Sequence, residues 1–239
     1  MKRITFILVL FCFLNSCKSE YEAIAFATVA IENTYEAQIS ANLDRATGND
    51  ELSKKINTHI DETIVASLSD TINKSNLETI LKDFNQEYLD FKNDFPEASE
   101  AIWELHIETE KTYQTETIIS IAISTYEFQG GAHGNDRISF LNLNAETGDI
   151  LSRDQMINNL EDFKTLAKIH FEKSLKNREE SARMEDFFFG KPFQLPENIG
   201  YSDDGLVLLY NVYEIASYDQ GYTEFVIPFE EVEPYLKLN

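Results

Sequence analysis

From residue 103 to residue 143 apolar and polar side chains take turns, a rhythm satisfied by an extended strand with one buried face. Trp103, Leu105 and Ile107 alternate with Glu104, His106 and Glu108. Ile119, Ile121 and Ile123 alternate with Ser120, Ala122 and Ser124 in a second strand ending near Phe128. A third strand is expected over residues 137–143, closed by Ala145-Glu146-Thr147-Gly148, a turn with glycine at its left-handed position. The preceding chain has a different period. After a break at Gly48-Asn49-Asp50, Leu52, Ile56, Ile60 and Ile64 recur every four residues, which predicts a helix. Leu77, Ile80, Leu81, Phe84, Tyr88 and Phe91 share one face of a second helix over residues 76–94, and Pro96 ends it. Residues 23–43 alternate loosely and read as one or two strands. Two helical pieces follow over residues 153–181, with Phe163, Ala167, His170 and Phe171 in the apolar stripe. Strands are expected at 205–210 and 222–227, and a short helix at 230–236. Helices set against mostly antiparallel sheets define an α+β protein. An N-terminal α+β domain is expected over residues 23–145 and a C-terminal one over 146–239.

The first residues obey other rules. Lys2 and Arg3 precede an apolar run over residues 4–14, too short to span a bilayer comfortably. Leu14-Asn15-Ser16-Cys17 then reads as a bacterial lipoprotein box. Residues 1–16 are expected to be a cleaved signal peptide, Cys17 the lipid-bearing residue, and 17–22 a tether. Each buried CH₂ of an acyl chain contributes about 0.8 kcal/mol to anchoring. Lys18-Ser19-Glu20 resembles in part the signals that send lipoproteins outward, so the expected location is the cell envelope, at the outer membrane on its periplasmic or surface face. Both cysteines, Cys12 and Cys17, lie in this leader, which leaves neither a disulfide framework nor a cysteine nucleophile. Lys+Arg number 20 against 42 Asp+Glu, a net charge of −22 that becomes −24 when Lys2 and Arg3 are removed. Such acidity argues against nucleic acid as a partner. Apolar residues at 43% supply enough core to exclude intrinsic disorder.

Two segments carry the candidate binding residues. One is Tyr126 to Asn135, where His133 sits among Gly130, Gly131 and Gly134. Glycines allow positive φ and close approach, so the stretch reads either as a ligand loop or as a tight connection whose histidine bonds to nearby backbone. The other runs from Tyr210 through Tyr213, Glu214 and Tyr218 to Tyr222. Tyrosines suit a binding surface, or equally the underside of a loop. Glu104, His106 and Glu108 share a strand face and could ligate a divalent ion, or simply line a wet sheet. His170 lies in an apolar stripe and reads as a satisfied core histidine, and His59 is a helix residue with no evident partner. No Gly-x-Ser-x-Gly elbow, P-loop, Rossmann fingerprint or His-Glu-x-x-His occurs, and no cofactor is expected.

The element Tyr126-Glu127-Phe128-Gln129-Gly130-Gly131-Ala132-His133-Gly134-Asn135 resembles one shared by a bacterial family. So do Leu143 to Gly148, Gly205-Leu206 to Tyr210, Tyr213 to Gly221 and Ile227-Pro228, in the same order. The family is that of the paired domains of unknown function in RsiV-type anti-sigma factors and PdaC-type peptidoglycan deacetylases. The resemblance implies a cell-envelope protein whose C-terminal half is similar in fold to a subdomain of heat-shock ATPases. In the RsiV type the extracytoplasmic domain binds lysozyme; in the PdaC type a separate catalytic domain follows. No transmembrane helix, sigma-binding segment or following deacetylase domain is expected in this chain, so only a binding or sensing role is expected to carry over. Three readings follow in order of preference: an anchored, non-catalytic binding module for a cationic protein such as lysozyme or a peptidoglycan-derived ligand; a metal-assisted hydrolase of cell-wall glycan or peptide; and a structural envelope assembly protein.

Overall fold

The computed structural model describes residues 22–32, 35–68, 76–97, 101–176 and 183–238. The signal peptide, Cys12, Cys17 and most of the expected tether lie outside the described residues.

The alternating segments build one sheet, ordered β1 (Phe26–Glu32), β2 (Gln38–Ala46), β3 (Glu104–Gln114), β4 (Ile118–Phe128) and β5 (Asn135–Asn144). All neighbours pair antiparallel except β2 and β3, which run parallel with Gln38 opposite Glu104. Parallel pairing needs a long crossover. Here it is made of α1 (Glu51–Leu68) and α2 (Leu77–Asp94). Asn76 caps α2 by accepting from the Thr79 N–H at 2.8 Å. The four-residue spacing of Ile56, Ile60 and Ile64 turns all three into a core shared with Leu105, Ile107, Ile119, Ile121 and Ile123. Trp103 closes that core against Phe84, Tyr88 and Phe91, with ring centroids 5.4–5.8 Å apart.

The second unit has α3 (Arg153–Met156), α4 (Leu160–Lys176) and a sheet ordered β6 (Asn198–Ser202), β7 (Gly205–Tyr210), β8 (Thr223–Pro228), all antiparallel. It ends in α5 (Phe229–Val232) and a 3₁₀ turn, Glu233–Tyr235. Phe171 of α4 is the hub of its core, meeting the rings of Phe187, Phe188, Phe193, Tyr210 and Phe225 at 5.3–6.0 Å. The protein is thus α+β, with two mostly antiparallel sheets.

The second face of the main sheet is not uniformly wet. β6 is an edge strand, and its outward backbone groups are latched by side chains of that face. Thr112 Oγ1 donates to the Tyr201 carbonyl at 2.7 Å, and the Tyr201 N–H donates to Ser120 Oγ at 3.0 Å. Ser120 in turn donates to Asn142 Oδ1 at 2.8 Å, and Asn142 Nδ2 donates to the Ile199 carbonyl at 2.7 Å. Ser120 and Asn142 are buried, so these bonds satisfy groups that water cannot reach. Ile118 of β4 belongs to the second core, not the first.

Candidate functional site

The end of β4 and the start of β5 carry the glycine-rich loop. Gly130 and Gly131 have φ of +89° and +103°, and a Cβ at either would meet nothing within 4 Å. The chain's turn, not crowding, demands them. Gly134 is different: a Cβ there would lie 2.3 Å from the Tyr126 ring. The loop therefore lies directly on Tyr126. Tyr126 also stacks on His106, with centroids 5.8 Å apart and planes 16° apart.

His133 is exposed, and its Nδ1 lies 2.9 Å from the Gly134 carbonyl. A carbonyl only accepts, so Nδ1 carries the proton and Nε2 of the neutral ring is left as an acceptor. The ring stacks on Tyr218 at 3.8 Å and 21°. The Tyr218 hydroxyl donates to the same Gly134 carbonyl at 3.4 Å. Tyr213 also packs against Tyr218, centroids 5.7 Å apart and planes tilted by 43°. The two segments singled out in the sequence thus meet in space, with both the local backbone bond and an aromatic neighbour for His133.

Tyr213 has φ of +67° and is 57% exposed. A left-handed non-glycine residue costs roughly 1–2 kcal/mol, and such strain concentrates at ligand contacts. The residues around it hold it in place. Glu214 accepts from the Asn211 N–H at 2.8 Å and from the Glu197 N–H at 3.0 Å. Burial outweighs these bonds and holds the Glu214 carboxyl above the ordinary carboxylate range. The Asn211 side chain accepts from the Ile138 N–H and donates to the Ile138 carbonyl, both at 2.8 Å, which closes the outer edge of β5. Asn135, Asp136, Arg137, Glu197, Tyr213 and Glu214 line an open groove of about 280 Å³ beside the tyrosines.

Tyr210 lies elsewhere. It is buried in the second core, where its hydroxyl donates to the Gln194 carbonyl at 2.6 Å. Tyr222 is half-buried, and burial, with Asp136 and Tyr218 nearby, pushes its phenol up to about 12. His106 holds Ser40 Oγ at 2.8 Å through Nδ1 and faces Glu104 at 3.4 Å through Nε2. With both nitrogens engaged, Glu104, His106 and Glu108 do not converge, and no group of three or more potential ligands able to hold an ion occurs among the described residues. His170 is buried and bonds to Glu231 at 3.1 Å, and His59 meets Glu62 at 3.0 Å. Asn211 and Asp136 are the residues that sequence reasoning missed. Nothing in their spacing marks either, because their partners are brought in by the fold.

Two family models match the chain: Deacetylase PdaC over residues 30–136 and Protein of unknown function (DUF3298) over 148–230. The chain therefore carries the paired PdaC-type and DUF3298 domains, whose function is unknown. Its fold is that of DUF3298 family proteins of known structure. One, from Pseudomonas aeruginosa PAO1, is 17% identical with a TM-score of 0.66, over 90% of this chain and 95% of that one. Another, from Bacteroides fragilis, is 21% identical with a TM-score of 0.66, over 90% and 94%. No curated protein matches in sequence. No helix among the described residues is long and apolar enough to cross a membrane.

Proposed function

We propose that this is a cell-envelope lipoprotein, acylated at Cys17, that binds a ligand on the His133–Tyr218–Tyr213 face without transforming it. The observation that carries the reading is that face itself: exposed His133 stacked on half-buried Tyr218, with a strained, solvent-facing tyrosine beside it. Rings held in this way offer contact area at low entropic cost. The Cys17 box and the net charge of −24 expected after cleavage complete it. That charge attracts cationic proteins over long range, while the rings supply the short-range contact. A cationic envelope protein such as lysozyme is the partner that fits both, and a peptidoglycan-derived ligand fits the rings.

The test is retention of lysozyme on the immobilised protein at low and at physiological salt. Wild type is expected to retain it at both, less at the higher salt. The Tyr213→Asn, His133→Ala double variant keeps a residue that tolerates left-handed φ and is expected to retain about tenfold less. No retention at either salt removes lysozyme as the partner. Equal retention by the variant removes this face.

A further inference from the structure

A second concavity shares no residue with the face above. Where β3, β4 and β6 meet the closing segment of the chain, a pocket of about 230 Å³ is lined by Tyr113, Ile118, Tyr201, Phe229, Glu230 and Glu233, with Leu236 and Leu238 beside them. Its walls are aromatic: Tyr113 stacks on Tyr201 at 5.7 Å and 17°, and meets Phe229 at 5.5 Å with the rings tilted by 34°. A cavity of this size accommodates a single ring with a short tail.

Tyr201, like Trp103 in the other core, departs from the satisfied polar interior described above. It is 1% exposed, yet its hydroxyl has no hydrogen-bond partner among the described residues. A buried hydroxyl without a partner keeps its full desolvation cost, so a group that accepts its proton is favoured there. Burial also holds this phenol well above its ordinary range, so it stays a neutral donor at physiological pH. Among the described residues the charged ones lining the pocket are Glu230 and Glu233, both exposed and neither paired with a lysine or arginine in a described ion pair. An apolar wall, one unsatisfied donor and two carboxylates make a complementary description of a guest.

We propose that this pocket binds a small cationic amphiphile: a ring-sized apolar body bearing an oxygen that accepts from Tyr201 and an ammonium group that faces Glu230 and Glu233. The ring sits against Tyr113 and Phe229. The ammonium makes charge-assisted contacts at the mouth.

Tyramine has all three features, phenethylamine lacks the oxygen, and p-cresol lacks the amine. Each is titrated into the purified full-length protein, with the Ile118 δ-methyl followed by NMR and assigned by Ile118→Val. Tyramine is expected to move that methyl saturably, and phenethylamine to bind about threefold more weakly. The Glu230→Gln, Glu233→Gln pair lies on the surface, and is expected to weaken tyramine about fivefold and leave p-cresol unchanged. In Tyr201→Phe the preference of tyramine over phenethylamine is expected to vanish. No saturable shift with tyramine at about ten-millimolar concentration, or binding indifferent to the glutamate pair, overturns the proposal. The exposed pair keeps the test decisive should Tyr201→Phe fail to fold.

Discussion

At the scale of single residues, the loop around Tyr213 is held by a carboxylate that burial makes uncomfortable. Glu214 accepts two backbone N–H groups, yet its folded pKa is raised above 4.5, with burial the first cause. The folded state therefore binds its proton more tightly than the unfolded chain does. Its stabilisation is fully present below the unfolded value and is lost as pH rises through the folded one. Wild type should thus be most stable relative to Glu214→Gln in acid, and should lose ground as pH rises above about 4.5 until the group is ionised. Urea midpoints of the two proteins across that range check it. A relative gain by wild type as pH rises would contradict it. The roles of single residues were only partly legible in the sequence. The glycines at 130, 131 and 134 stand out there, but not their division of labour, since only the fold puts Tyr126 under Gly134. His133 and Tyr218 lie far apart in the chain, and no local pattern announces that their rings stack. Tyr210 sits in the same tyrosine-rich stretch as Tyr213, but β7 is buried on both faces, so its ring joins the core.

Among elements, the join between the sheets depends on a short polar network. Asn142 accepts from Ser120 and donates to the Ile199 carbonyl, both in a buried setting. Asn142→Ala strands those partners and is expected to cost about 1–3 kcal/mol. Urea unfolding measures it; a loss below the error of the fit would mean the latch is ornamental. Most elements could be read from periodicity: α1 and α2 from their four-residue spacing, β3 and β4 from alternation, α4 from its aromatic stripe. β6 could not. Asn198–Ser202 is five residues with a glycine inside, too short for either period. Its trace was the Asp203-Asp204 pair, the two-residue turn that sets Gly205 of β7 opposite Ser202. The parallel pairing of β2 with β3 was equally hidden, because it follows from two helices intervening rather than from any residue in either strand.

For the whole molecule, periodicity and class go together: alternation plus helical stripes led to α+β, and the two sheets with their flanking helices are that class. Function is less legible at this scale, because charge and anchorage describe where a protein works and with what sign of partner, not which one. An excess of acids over bases, 42 to 20, acts on any cation nearby. The aromatic face is what would convert attraction into recognition. The most direct test is photo-crosslinking on intact cells with a benzoylphenylalanine at position 213. The same reagent at position 95 is the control, because Phe95 is equally exposed at 57% and lies at the end of α2 on the helical layer. We expect a discrete envelope product from position 213 that is absent from position 95. Matching products from both positions, or none from 213 in cells that carry the protein, would contradict the assignment of that face as the binding surface.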